Sequence, residues 1–369
     1  MKSKVLICAI GAKGSIGTTI ASGICAFKKF SREYDKYLIT NPINSDVFGK
    51  TEEMEFSGWE QQDISYEIAY SKNKTYSKDL FSEIKDDLNK IKVFHAPDPE
   101  ITIEEQIILI KANISELRKL YPEHSIVLAN VLPGSDIDYD KSKYLTWDEL
   151  KILKGATYQD LAYLIAAIEE GIPFANFTPN PIELPCVVEK AIEKGIPICG
   201  RDGKSGQTYF KVVLASSFKA RELFVNAWYS TNILGNNDGK TLNEPGKGIN
   251  KINAKKDVLN NVLGYEVNDH LVRIDYFKPR GDSKEAWDVI DFTGFLHEPM
   301  SIRVNLQGKD SILAAPMIID LCRWLNYAKS QKISGAVSEL AFYFKSPIGE
   351  HSYFDFSDQL TALRSLLLH

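Results

Sequence analysis

At 369 residues the chain exceeds what one hydrophobic core usually supports, so its length favours two domains or one large domain carrying an insertion. With 44% hydrophobic residues, 25% charged residues and a formal net charge of -5, the composition is that of a globular protein, and it argues against nucleic acid or an anionic membrane as partner. Any anionic ligand must then be held by local charge.

Val5 to Ile10 is a short apolar run that stops at Gly11, and the next apolar residues fall at helical spacing through Ile20, Ile24 and Phe27. A second apolar run at Tyr37-Leu38-Ile39-Thr40 makes the opening read as a β-α-β unit with a parallel sheet. Ile103, Ile107, Ile110, Ile114 and Leu117 mark an amphipathic helix ahead of the apolar run Ser125 to Val131. The polar stretch Tyr139 to Lys154 reads as a surface loop. A helix around Leu161 to Ile168 stops at Gly171, a run follows at Phe174 to Phe177, and a helix ending at Gly195 leads into the run Ile196 to Gly200. The first 200 or so residues thus predict a doubly wound sheet. Glu222 to Tyr229, Leu271 to Phe277 and the alternating Ser301 to Leu306 predict a mostly antiparallel insertion. After Asp310 the pattern returns to helix through Ile312, Leu313, Met317, Leu321 and Leu325, and the tail is expected to rejoin the first domain. The fold class is therefore α/β: a Rossmann-like doubly wound parallel sheet over 1–208, an inserted α+β domain over 209–311, and a C-terminal segment 312–369 that returns to the first domain.

The five cysteines, Cys8, Cys25, Cys186, Cys199 and Cys322, are scattered, lack a CxxC pair, and read as buried thiols of a reducing cytoplasm. The N-terminus runs from one short strand straight into glycines, unlike a signal peptide, and no uncharged apolar run approaches the roughly 20 residues of a spanning helix.

Gly11-Ala12-Lys13-Gly14-Ser15-Ile16-Gly17 sits between the first strand and helix, where glycines let the backbone approach a pyrophosphate and the helix N-terminus offers unpaired N–H groups. Its spacing is GxxGxxG, not GxGxxG, and the acidic residue expected after the second strand is replaced by Asn41, with Asp46 a little further on. Asn41 could meet a ribose hydroxyl and carries no charge to reject a 2'-phosphate, so the choice between NAD and NADP stays open.

Three later loops concentrate polar groups where apolar runs end: Asp202 to Thr208, Asn232 to Gly239 with Asn236 and Asp238, and Lys278 to Lys284 with Asp282. In the first, glycines, Lys204 and hydroxyls precede a predicted helix, a combination suited to a phosphate but equally found at ordinary helix starts. Lys251 and Lys255 share one face of any helix they lie on, which taken alone describes a solvated basic surface. Lys345 differs, because it follows the apolar stretch Leu340 to Phe344 and precedes Pro347, so partial desolvation would lower its pKa towards that of a useful base.

Asn176-Phe177-Thr178-Pro179, Asp202 to Thr208, Leu234-Gly235-Asn236-Asn237-Asp238-Gly239, Gly281-Asp282-Ser283-Lys284 and Phe344-Lys345-Ser346-Pro347 resemble, in order and spacing, the inositol-3-phosphate synthases. The likeness is nearest to the short archaeal and bacterial forms. It departs from the family pattern at Ser15-Ile16, where many members carry two asparagines, and 41–98 has no placed match. The resemblance implies conversion of D-glucose 6-phosphate to 1D-myo-inositol 3-phosphate, with NAD reduced and reoxidised in each turnover, and a homotetramer paired through the inserted sheet.

By position in the family motifs, Lys251 and Lys345 would act at the C5 oxygen, while Lys255 and Lys284 would hold the phosphate and the C1 oxygen. Asp202 and Asp238 would join these lysines in catalysis, and Lys204, Ser205, Gly206, Gln207 and Asn236 would bind substrate. Cofactor contacts would be Gly11, Gly14, Ser15, Ile16, Gly17, Ala129, Asn130, Asp202, Asp282 and Asp310. The carboxylates could also take Mg²⁺, Mn²⁺ or a monovalent ion, a choice the sequence does not make. The alternative is a related sugar-phosphate cyclase or dehydrogenase with another substrate. The six histidines show no ligand spacing.

Overall fold

In the computed structural model the described residues are 4–43, 45–135, 137–235, 258–281 and 283–368. The strands are β1 (Lys4–Ile10), β2 (Glu55–Glu60), β3 (Val93–His95), β4 (His124–Asn130), β5 (Phe174–Asn176), β6 (Pro197–Cys199), β7 (Phe224–Leu234), β8 (Asp269–Tyr276), β9 (Ser283–Thr293), β10 (Pro299–Lys309) and β11 (Gly335–Ala336). The longer helices that position the site are α1 (Ser15–Tyr34), α2 (Ile103–Leu120), α3 (Gln159–Glu169), α4 (Pro185–Glu193), α5 (Gln207–Ala220), α6 (Asp310–Ser330) and α7 (Phe356–Ser365).

β1 is apolar at consecutive positions because both faces of its sheet are covered. Val5, Ile7 and Ala9 pack with Ile20 and Ile24 of α1 and with Ile318 and Trp324 of α6, whereas Leu6, Cys8 and Ile10 pack with Ile107 and Ile110 of α2 and Leu161 to Ile168 of α3. The sheet order is β11-β6-β5-β4-β1-β2-β3, with every pairing parallel. Its chain order reverses between β1 and β4, and ligands of open α/β sheets bind in the crevice beyond such a reversal. After the second sheet, α6 packs on this first sheet and β11 adds to its β6 edge.

A second sheet of order β10-β9-β7-β8 has antiparallel β9/β10 and β7/β9 pairs and one parallel pair, β7/β8. α5 covers one face of it, setting Val212, Ala215 and Phe218 against Trp228, Ile290 and Phe292. Leu271, Trp287 and Met300 remain exposed on the same sheet.

The second strand lies elsewhere than the sequence predicts. Asp35–Tyr37 is a single 3-10 turn and Thr40–Ile43 a short helix, while the neighbour of β1 is β2. The amides of Ile39 and Thr40 donate to the buried carboxylate of Asp320 on α6, at 2.8 and 3.1 Å, so this apolar run has its donors satisfied by a side chain instead of a strand. The stretch 139–154 is also more ordered than a loop, forming short helices at Tyr139–Ser142 and Trp147–Lys151, the latter with a Thr146/Glu149 capping box.

Candidate active site

The glycine turn crosses the end of β1 at the crevice. Gly11 takes a φ of +95°, and the amides of Gly11 and Ala12 both donate to the Trp59 carbonyl at 3.0 Å. A Cβ on Gly17 would overlap the Gly11 carbonyl oxygen and come within 2.7 Å of the Ala12 carbonyl, so only glycine lets the helix start this close to the strand. α1 begins at Gly14 without a side-chain cap and without an acidic residue in its first turn. Its leading N–H groups and positive end are thus left for an anion. The hydroxyls of Ser15 and Thr18 are buried without a hydrogen-bond partner. A dinucleotide pyrophosphate fits this cradle.

Glu60, the last residue of β2, is the acidic group that the sequence reading missed. Its carboxylate accepts from the Lys13 amide at 2.9 Å and from the Gln61 amide at 2.9 Å, which places it against the glycine turn, where an acidic residue meets ribose hydroxyls in such folds. Asn41 is not at that position: its side chain donates to the Asp35 carbonyl and accepts from Arg323 at 2.8 Å. The signal for Glu60 was the pair Trp59-Glu60 closing the run Glu55 to Glu60.

The second-half residues gather around the loop Asp202–Gly206, between β6 and α5. This loop runs beside 343–346: Lys204 N donates to Tyr343 O, Lys345 N to Asp202 O, and Arg201 and Ser346 exchange backbone hydrogen bonds. Asp202 adopts a φ of +60° with its amide bonded to Thr178 O at 2.7 Å, a conformation that costs energy outside glycine and here aims a carboxylate. The Lys345 ammonium donates to Asp202 Oδ1 at 2.7 Å, with the two side chains 18% and 12% exposed. Three residues on from Asp202, Ser205 Oγ donates to Asp310 Oδ1 at 3.4 Å, and Asp310 pairs with Lys284 at 3.0 Å. The same short loop therefore touches two ammonium–carboxylate pairs. α5 starts at Gly206 with neither a side-chain cap nor an acidic first turn, and the Tyr209 amide closes its first turn on the Gly206 carbonyl at 2.9 Å.

Lys204 is more deeply buried than Lys345. It is 2% exposed, donates to Gln359 Oε1 on α7 at 2.6 Å, and burial lowers its pKa to about 7. Lys345, by contrast, has the Asp202 carboxylate beside it at 2.7 Å. Lys204, Lys345, Phe344, Tyr353 and Gln359 line a cavity of about 440 Å³ that also takes in Val258 and Asn261. Gln359 was not legible as a site residue; its Nε2 donates to Tyr353 O and Phe354 O, which turns Oε1 towards Lys204.

Other expected residues are placed differently. Ala129 and Asn130 are fully buried in β4, and the Asn130 carboxamide donates to Asp160 and Asn176 at 3.1 and 3.3 Å inside the protein. Gln207 is buried with its amide committed to Asp288 and Asn232. Asn236, Asp238, Lys251, Lys255 and Asp282 lie outside the described residues. Among the described residues no group of three or more His, Cys, Asp or Glu side chains converges as a metal ligand set, and no helix is long and apolar enough to cross a membrane.

Fold and site together describe an α/β chain in which the loop Asp202–Gly206 links the Lys345–Asp202 pair to the Lys284–Asp310 pair at the start of α5. Residues 206–311 match the family model described as myo-inositol-1-phosphate synthase. An inositol-3-phosphate synthase of Bacteroides thetaiotaomicron is 41% identical over 212 residues, covering 55% of this chain and 49% of that protein. The chain spans about half the length of the curated relatives it matches. Its fold is that of a Caenorhabditis elegans inositol-3-phosphate synthase, with a TM-score of 0.83 at 19% identity over 99% of this chain and 85% of the other. A myo-inositol-1-phosphate synthase-related protein of Thermotoga maritima aligns with a TM-score of 0.75 at 20% identity over 99% and 98% of the two chains.

Proposed function

We propose that this chain is an NAD-dependent isomerase that converts D-glucose 6-phosphate to 1D-myo-inositol 3-phosphate, the opening step of inositol and inositol-phospholipid synthesis. The observation that carries this reading is the loop Asp202–Gly206, which joins the Lys345–Asp202 pair at 2.7 Å to the Lys284–Asp310 pair at 3.0 Å beside an uncapped helix end. A phosphate ester binds at the first amides of α5 with Lys284, and Lys255 is assigned to the same group by its motif. That leaves the sugar carbons facing Lys345.

A bound NAD would supply a reversible hydride acceptor for C5. Gly11, Gly14 and Gly17 with the Ser15 and Ile16 amides would hold its pyrophosphate, and Glu60 at the end of β2 would favour ribose hydroxyls over a 2'-phosphate by charge. The Lys345 ammonium, with Lys251 by its motif, stabilises the C5 oxygen; as that oxygen loses its proton, Lys345 takes it and passes one of its own to Asp202, which accepts from it at 2.7 Å. Lys284 and Lys255 stabilise the oxygen that develops at C1 when C6 joins it. Each preorganised ammonium is worth several kcal/mol to such an oxyanion in a site that excludes water. Asp202 and Asp310, with Asp238 and Asp282 by their motifs, balance the lysine charge that would otherwise be costly to bury. A cation among these carboxylates would add to the same stabilisation. The assembly is a cytoplasmic homotetramer, in which a second copy covers Leu271, Trp287 and Met300.

The test is incubation with glucose 6-phosphate and NAD under several cations, followed by phosphorus NMR and the near-ultraviolet absorbance of NADH. An inositol phosphate with no accumulated NADH is expected. Accumulated NADH would identify a dehydrogenase, and absence of the product under every cation would assign a different sugar phosphate.

A further inference from the structure

The start of α5, assigned above to the phosphate, is held from within the second sheet by one carboxylate. Asp288, buried on β9, accepts from Trp228 Nε1 at 2.7 Å and Ser230 Oγ at 2.5 Å through Oδ1, which leaves Oδ2 for Gln207 Nε2 at 2.9 Å. Gln207 is the first residue of α5, directly after Gly206. Its Oε1 accepts from Asn232 Nδ2 at 2.5 Å, which fixes the end of the amide that faces Asp288. One turn further along α5, Lys211 Nζ bonds His270 Nε2 at 2.8 Å and lies over the Trp228 ring, so a second buried contact pins the same helix to the same sheet. Lys284 stands four residues before Asp288 on β9, about 13 Å along the strand. A single strand therefore carries both the lysine assigned to the phosphate and the anchor of the helix end assigned to it.

We propose that Asp288 is a positioning residue for the phosphate: through Gln207 it sets the start of α5 at a fixed place relative to Lys284, so that backbone amides and ammonium converge on one anion. This rests on the sugar-phosphate reading above. Asp288 does not touch the substrate. The carboxylate is needed because all three partners donate, and an asparagine there must turn an N–H₂ towards one of them.

The test measures binding as well as turnover. Asp288→Asn is expected to weaken binding of glucitol 6-phosphate, which has no aldehyde to cyclise, by roughly 10- to 100-fold, the effect of a misplacement near 1 Å. KM for glucose 6-phosphate should rise by a similar factor, kcat should change far less, and the Kd for NAD should stay within about twofold. Ser230→Ala, which removes one Oδ1 donor and leaves the Gln207 contact, should lower Tm without weakening the phosphate ester. If Asp288→Asn fails to fold, Gln207→Met cuts the same link from the helix side and must show the same loss. Binding of the ester by the folded variant at wild-type strength would overturn the inference. A wild-type protein that binds no phosphate ester would defeat the sugar-phosphate reading itself, before Asp288 is tested.

Discussion

Lys204→Met should make the protein more stable at neutral pH and less stable in alkali. Folded, burial drops the Lys204 pKa from its ordinary 10.5 to about 7. Unfolded, the amine keeps its proton until the ordinary value. Between those two values the unfolded chain binds one more proton than the folded one, so native stability rises with pH, by about 1.4 kcal/mol per pH unit. The full cost of keeping this lysine is thus present below about pH 7, amounts to about 5 kcal/mol, and disappears above the ordinary value. Methionine fills a similar volume without the amine, but it leaves Gln359 Oε1 without its donor at a cost of about 1–3 kcal/mol. A net gain of about 2–4 kcal/mol is expected at pH 7, turning to a loss of about 1–3 kcal/mol near pH 10.5. Urea denaturation of both proteins across this range reads the difference directly. Parallel pH profiles for wild type and variant would refute the reasoning, because they would mean that Lys204 keeps its proton in the fold.

Lys345→Met should lower kcat by roughly 10²- to 10³-fold in the phosphorus NMR assay and leave NAD affinity unchanged, since the ammonium is assigned to the C5 oxygen and not to the cofactor. Gly17→Ala should abolish NAD binding measured by calorimetry, because its Cβ overlaps the Gly11 carbonyl oxygen and can be accommodated only by opening the turn. Glu60→Gln should reduce the preference for NAD over NADP by about tenfold or more, about 1.4 kcal/mol, by removing the charge that repels a 2'-phosphate; an unchanged ratio of kcat/KM values would separate Glu60 from the ribose.

What could be read in advance followed the range of the interactions involved. β1, α1 and the later turns of α6 were legible because their apolar spacing reports burial on faces that neighbouring turns already define, whereas Ile312 and Leu313 in the first turn of α6, expected in the core, are exposed. β2 was not. It carries only two large apolar residues, Phe56 and Trp59, and its Gly58 packs so close to β1 that a Cβ would overlap Ala9 O. The better local run, Tyr37 to Thr40, lost its strand character to Asp320, which lies 280 residues from Thr40. Placing Glu60 depended on that contact. Lys204 could be read as a polar group in a glycine loop, but its burial is imposed by Gln359, 155 residues later. Asn130 is expected among the cofactor contacts only by the family resemblance. Asp160 and Asn176 absorb it, and neither lies near it in sequence.

The return of α6 and β11 to the first sheet bears on how the molecule is made. α1 packs against α6, whose residues follow it by about 300 positions, and the second sheet is synthesised between them. During translation the apolar stripe through Ile20 and Ile24 therefore waits, without Ile318 and Trp324, until the whole insertion has emerged from the ribosome. Closure across so long a span is slow. The anticipated consequence is a nascent chain that engages chaperones through α1, and a folding rate that a circular permutant opened between β10 and α6, with the native ends joined, would raise.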